Sequence, residues 1–312
     1  MQTFHNILYV AFASAGGTAA LKQALSLARN NATGLQVLLM HPDLPASLGE
    51  HRDKYRESMI TQLEATIQET RASLDLSADE APVAIEAESG PAPSVTIIRR
   101  VLRNGHDLLL KEADPGMRGR GFRSVDMELL RKCPCPVWLA RPISRHRGDI
   151  RVAVAVDPEE RTRSDHDIAV RLLQLSRSLA DTCSGTLEVV SCWSYEYEKG
   201  LRGNPWIRVS QDELDATLAA ARDEHRRALE ALIGEAGIGG RFEIRHLQGQ
   251  PEEQIPAFAE ETELDILVMG TLGRTGIPGF VIGNTAEDII QQIHCSLVAL
   301  KPGGFVSPVK AY

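Results

Sequence analysis

Short apolar runs alternate along this chain with longer stretches whose apolar residues recur every third or fourth position. The runs at 6–13, 34–40, 83–88, 106–111 and 136–140 predict strands, the third more exposed than the rest. Between them, helical spacing predicts helices over 18–31, 52–74, 94–103 and 126–132. Asn104-Gly105 supplies a helix stop after the third of these. The order then repeats, with strands at 150–156, 186–193, 241–247, 264–269 and 297–301. The matching helices fall at 165–182, 211–233, 253–261 and 285–293. GHDLLL at 105–110 resembles LDILVM at 264–269, and LRKCPCPVWLARP at 130–142 resembles QIHCSLVALKP at 292–302.

The repetition predicts an internal duplication, with domains at 1–144 and 149–312 and an exposed connector between them carrying Pro142, Ser144 and Gly148. Alternating strands and helices predict an α/β chain of two tandem doubly wound domains. Each is a five-stranded, mostly parallel sheet with helices on both faces. The last strand of each half, through 137–139 and 297–300, is expected to pair the halves as two subunits pair across a two-fold axis, a pseudo-dimer within one chain.

With 312 residues, the chain has room for about two cores. A net charge of −8 argues against a general nucleic-acid binder. Arg118, Arg120 and Arg123 read as a solvated loop. No apolar run approaches the length of a membrane span, and the first residues lack the basic region of a signal peptide and read as a strand. The five cysteines show no CxxC spacing, so neither a disulfide framework nor a structural zinc site is expected, and a reducing cytoplasm suits them. Cys133-Pro-Cys135-Pro reads as a turn into a strand.

Candidate chemistry concentrates at 264–285. An apolar strand runs into Gly270; Gly273, Gly283, Asn284 and Thr285 follow, and then a helix begins. Glycines let backbone approach an anion, and a helix start offers unpaired N–H groups and the positive end of a dipole. A Gly-rich β–α loop without ligand fits the same spacing. Asp157, at the end of the second half's first strand, either accepts hydrogen bonds from a ribose or adenine, or caps the Asp157-Pro158 turn. Arg274 faces a phosphate or solvent, and Asn284 and Thr285 donate to phosphate, cap the helix, or do both. Glu287 and Asp288 suit the helix dipole but repel a phosphate placed too near.

The first half has Glu112 about where Gly270 stands and no carboxylate at Ala13-Ser14. No P-loop, HExxH or G-x-S-x-G motif occurs. His246 and His294 read as packing residues, and Trp193, Tyr195, Tyr197 and Trp206 as a pocket lining or a core cover.

The glycine spacing, Asp157 and the segments GHDLLLK, LLRKCPCPVW, GQPEEQIP, GTLGRTGIPGF and GNTAEDII resemble the universal stress protein family, in its tandem-domain, UspE-like branch. The resemblance spans nearly the whole chain. It implies an adenine nucleotide alpha hydrolase-like fold and a cytoplasmic protein tied to stress resistance. It also implies that the second domain binds ATP or another adenine nucleotide, with or without Mg. Asp157 then contacts adenosine, the backbone of Cys192 touches adenine, and Gly270, Gly273, Gly283, Asn284 and Thr285 form the cradle. Two positions depart from the family pattern: Asn284 where Ser or Thr is usual, and Ala155 where binding members often carry Pro. The first half departs at nearly every motif position, so it is expected to lack the site.

Three functions follow. The chain is a nucleotide-dependent sensor or interaction module with an unidentified protein partner, or a slow ATPase or phosphotransferase, or a scaffold for an apolar, lipid-like ligand. No nucleic acid or membrane span is expected, and a homodimer is compatible with all three.

Overall fold

A computed structural model describes residues 4–13, 18–114, 119–159, 162–202, 209–271 and 282–312. In the first half β1 (Ile7–Phe12), β2 (Leu35–His41), β3 (Val83–Ser89), β4 (Leu108–Glu112) and β5 (Val137–Ala140) alternate with α1 (Ala19–Asn30), α2 (Arg52–Ser73), α3 (Pro93–Asn104) and α4 (Ser124–Lys132). In the second half β6 (Arg151–Ala155), β7 (Thr186–Trp193), β8 (Glu243–Gln248), β9 (Ile266–Gly270) and β10 (Ser296–Leu300) repeat the scheme. Its helices are α5 (Arg163–Cys183), a short α6 (Glu198–Leu201), α7 (Gln211–Ala236), α8 (Pro251–Glu261) and α9 (Asn284–Gln292).

The near-continuous apolar strands are explained by burial on both faces. In β1, Ile7, Tyr9 and Ala11 enter one core while Leu8 and Val10 enter the other. In β9, Ile266 and Val268 divide from Leu267 and Met269 in the same way. The first core is closed by α1, α2, α5 and α7, through residues such as Leu21, Ile67, Leu172 and Leu229. The second is closed by α3, α4, α8 and α9, through Ile97, Leu129, Phe258 and Ile289. Local chemistry marks the helix ends. Thr162 and Ser210 accept from the N–H groups of Asp165 and Glu213 at the starts of α5 and α7. Gly105 and Gly237, at φ 65 and 63, end α3 and α7 in the left-handed conformation. Gly234 lies inside α7, so the helix runs past the predicted stop at 233.

The two sheets join edge to edge as one ten-stranded sheet, in the order β3-β2-β1-β4-β5-β10-β9-β6-β7-β8. All pairings within a half are parallel. The seam is antiparallel and matches the expected pairing, with Leu297 opposite Leu139, Val298 opposite Trp138 and Ala299 opposite Val137. Each half therefore covers an edge strand of the other, which removes two aggregation-prone edges.

Candidate functional site

Strand order in the second half reverses between β9 and β6, because β7 and β8 lie on one side and β10 on the other. Crossover helices diverge at such a point, and a crevice opens beyond the carboxyl ends of the strands. A cleft of about 500 Å³ lies there, lined by the ends of β6, β7 and β9, by α5, and by the first residues of α8 and α9. That volume is ordinary for a small-molecule site.

Gly270 ends β9 opposite Leu300. A Cβ there would meet Ile168 Cδ1 at 3.5 Å and Leu172 Cδ1 at 3.9 Å, so a longer side chain would enter the cleft. The next residue, Thr271, donates its N–H to Leu300 O and accepts from Gly283 N, both at 3.0 Å. These bonds hold Gly283 beside the end of β9 and bring the start of α9 to the cleft. Gly283 is the N-cap of α9 and offers no side-chain cap. Asn284 and Thr285 follow, exposed and in the cleft lining. Gly273 and Arg274 lie outside the described residues.

Asp157 follows β6, the neighbour of β9, and is exposed in the cleft lining. Its Oδ1 accepts from Glu159 N at 2.9 Å, so the carboxylate also holds its own turn. Cys192, in β7, is half-buried in the lining. Burial, with help from the Glu252 carboxylate, pushes its thiol up to about 12, so it stands as a neutral thiol.

Sequence reasoning assigned no role to the far wall. Gly249 donates its N–H to Trp193 O at 2.9 Å and takes φ +132, a conformation that favours glycine. Gln250 and Pro251 then turn into α8 at the cleft. The signal lay in GQPEEQIP, where Gly and Pro mark a second β–α turn at the same sheet edge. Of the aromatic group, Trp193 is buried and lines the cleft, while Tyr197 is 62% exposed and packs edge-on to Tyr195. Trp206 lies outside the described residues. Four carboxylates, Asp157, Glu159, Asp165 and Glu252, face the cleft, and its described lining contains no Lys or Arg.

The first half has the same switch point, between β1 and β4. Register matches Lys111 to Met269: each pairs with its half's first strand, at Val10 or Ala155, and with its last, at Leu139 or Ala299. Glu112 then matches Gly270, and Phe12 matches Asp157. Lys111 is buried, with Nζ 2.8 Å from Asp126 Oδ1, 3.2 Å from Asp114 Oδ1 and 5.2 Å from the centre of the Phe12 ring. Asp126 is the third residue of α4, as Ala286 in the cleft lining is of α9. Its carboxylate is fully buried and also accepts from Asp114 N at 2.9 Å. Burial raises its pKa, against the pull of Lys111.

Comparison with known proteins agrees with this duplicated architecture. The universal stress protein family matches residues 3–141 and again 151–301. Universal stress protein E of Escherichia coli (strain K12) is 33% identical over 266 residues, 84% of this chain and 81% of that one. Universal stress protein E of Photorhabdus laumondii is 29% identical over 320 residues, 100% of this chain and 99% of that one. A crystal structure of a universal stress protein from Pseudomonas aeruginosa UCBPP-PA14 superposes with a TM-score of 0.73 over 96% of this chain and 94% of that one. At 23% identity it shares the fold. With one family domain in each half and tandem relatives matched over most of its length, this chain belongs to the universal stress protein family.

Proposed function

We propose that the second half, 149–312, binds an adenine nucleotide (ATP, ADP or AMP) in the cleft between β6 and β9 and acts as a nucleotide-dependent sensor. The observation that carries this reading is the meeting of Gly270, Gly283 and the start of α9 at one end of an open cleft. Backbone N–H groups and the helix dipole there suit the phosphates. Asp157 and the backbone of Cys192 then hold the adenosine, and Asn284 and Thr285 donate to phosphate. Gly273 and Arg274 complete the cradle. The carboxylates of the lining repel a bare polyphosphate. Arg274 or a Mg²⁺ ion carried by the nucleotide supplies the opposing charge, and binding is expected to strengthen with Mg²⁺. The first half, 1–144, contributes no nucleotide site. The bound state changes contact with a protein partner or a second copy, in a cytoplasmic setting.

Calorimetry with ATP, with and without Mg²⁺, tests the reading. Wild type is expected to give heat, and Gly270→Leu and Gly273→Val to lose it; no heat from wild type sinks it. Steady ADP release that depends on Asp157 and Arg274 would instead establish a slow ATPase or phosphotransferase. One observation favours the third reading, a scaffold for an apolar ligand: Ile168, Leu172, Val190, Ile255 and Ile289 also line the cleft. Native mass spectrometry of freshly purified protein separates the readings by the mass of the molecule that stays bound.

A further inference from the structure

The turn before β5 brings two thiols together. Cys133 and Cys135 are both buried, at 0% and 8% exposure, and their sulfurs are 3.5 Å apart. The antiparallel seam places a cation against them. Continuing its register past Ala299 opposite Val137 brings Lys301 opposite Cys135. Lys301 is buried, and its Nζ donates to Leu130 O and lies 4.8 Å from the centre of the Phe305 ring. No carboxylate pairs with it among the described residues, and an unpaired buried ammonium is costly. Burial pushes its pKa down to about 8, while the two thiol groups pull it up. Burial also works against a Cys133 thiolate, but the hydrogen bond from Cys135 and the charge of Lys301 outweigh it, and Cys133 titrates below an ordinary thiol.

The duplication supplies an internal control. The same register brings Arg141 opposite Cys295 in the second half. There Ile293 stands two residues before the cysteine, where Cys133 stands in the first half. Arg141 donates to the Gly119 carbonyl at 2.6 Å and to the Gly121 carbonyl at 2.5 Å, and it stacks on Phe122. Cys295 is pushed up to about 12 by burial despite the Arg141 charge. One place in the fold therefore holds two adjacent thiols beside a buried lysine, and its twin holds a single thiol beside an arginine.

We propose that Cys133 and Cys135 are a peroxide-oxidisable dithiol that closes to an intramolecular disulfide, with Lys301 holding Cys133 as the attacking thiolate. Cys133 sulfur attacks one oxygen of a hydroperoxide, the O–O bond breaks, and the departing oxygen takes a proton to leave as water when the oxidant is hydrogen peroxide. Cys135 sulfur then displaces the hydroxyl of the Cys133 sulfenic acid. The S–O bond breaks, the S–S bond forms, and the Cys135 proton leaves with that oxygen as a second water. Each sulfur gives up one electron and the peroxide takes both.

Access comes through the C-terminal segment after Lys301. Ser307 Oγ donates to Lys132 O at 2.7 Å, Arg103 Nε donates to Ala311 O at 2.7 Å and its guanidinium lies over the Tyr312 ring, Phe305 lies beside Lys301, and Val309 packs on the core cluster that contains both cysteines. Val306 and Tyr312 on it are 78% and 91% exposed. A surface segment held by contacts of this kind opens locally without global unfolding. Oxidation removes the thiolate that faces Lys301, at the seam that joins the two halves.

The test is treatment of the folded full-length protein with hydrogen peroxide, alkylation of the remaining thiols, and peptide mass spectrometry. A Cys133–Cys135 disulfide reversed by dithiothreitol is expected, with Cys295 still alkylated. Lys301→Met should slow its formation by about tenfold, the order by which a neighbouring cation shifts thiolate population, and Lys301→Arg should restore it. Cys135→Ser should trap a sulfenic acid at Cys133 that dimedone labels, and this variant keeps the test open if the Lys301 variants do not fold. Oxidation elsewhere while Cys133 and Cys135 remain alkylated overturns the proposal, as does dimedone labelling at another cysteine. A closing rate indifferent to the Lys301 charge overturns the role given to that residue.

Discussion

At the two switch points one backbone plan carries opposite contents. Where the second half has Asp157, Met269, Gly270 and Ala286 around open space, the first has Phe12, Lys111, Glu112 and Asp126. The difference is electrostatic as much as steric. A glycine and an alanine leave room for a ligand's charges, whereas Lys111 and Asp126 form an ion pair with each other inside the protein. The two halves therefore differ by more than a glycine motif: the first places Lys111 and Asp126 where the second stays open.

The largest expected effect comes from breaking that ion pair. Lys111→Met leaves Asp126 buried without its cation and should cost about 3–5 kcal/mol in chemical denaturation at neutral pH. Because burial holds the Asp126 pKa above its ordinary value, the folded state takes up a proton more readily than the unfolded one. The cost therefore stands above the folded pKa and is relieved as pH falls through it, so the loss in Lys111→Met should shrink in acid. Lys111→Met combined with Asp126→Leu should recover most of the stability, since removing both charges leaves neither exposed to the cost. If the single variant is as stable as wild type, the pair is not what fills the first switch point.

The cleft comes next. Gly270→Leu should weaken nucleotide binding at least tenfold, about 1.4 kcal/mol, with little loss of stability, because a Cβ there meets only ordinary contacts. The reverse exchange, Glu112→Gly, should create no nucleotide heat in the first half while Lys111 and Asp126 remain. Heat from that single change would make the glycine, and not the ion pair, the decisive difference.

These contents were unequally legible in the sequence. The architecture was readable because buried parallel strands demand continuous apolar runs, and the runs occur twice in the same order. The seam was readable because the last strands, through 137–139 and 297–300, remain apolar at a sheet edge that something must cover. Gly270, Gly283 and Asp157 stood out because their chemistry is local to a turn. Glu112 drew attention in the first half, yet Lys111 beside it reaches Asp126, which a helix fifteen residues further on supplies. A pairing of that kind depends on where α4 packs, and spacing does not encode it. The Cys133-Pro-Cys135 segment was read as a turn for the same reason, since Lys301 comes to it only across the seam.

A smaller effect separates the outer strands. His246 on β8 stacks on His225 of α7, with Nε2 2.9 Å from Nδ1, while Ala87 occupies the matching register position on β3. Burial and then the His225 charge push His246 down to about 4, with Arg226 and Arg222 adding and Asp223 opposing. Burial lowers His225 also, against Glu159. Depressed histidine pKa values stabilise the fold above the ordinary value near 6.5, and that contribution is lost as pH falls from there toward 4. Thermal unfolding of His246→Phe should therefore show a flatter acid limb than wild type, by about 1 kcal/mol after discounting for the solvent that reaches the pair. Parallel acid limbs would mean the two rings titrate as they do in the unfolded chain.

The smallest effect tests whether the first half reaches into the site of the second. Arg131 on α4 pairs with Glu287, in the first turn of α9, at 2.5 Å across the seam. Unpaired, that carboxylate would put negative charge near the place proposed for phosphate, so Arg131 reduces the repulsion without touching the cleft lining. Both side chains are about one-third exposed, at 35% and 28%, which limits the pair to less than about 1 kcal/mol of stability. Arg131→Ala should leave unfolding nearly unchanged and weaken nucleotide binding by about threefold or less, with the loss larger in low salt because the interaction is screened. Glu287→Gln in the same background should restore affinity, since it removes the charge that Arg131 neutralised. A salt-independent loss of tenfold or more would instead make Arg131 a ligand contact, and the site would then be built by both halves.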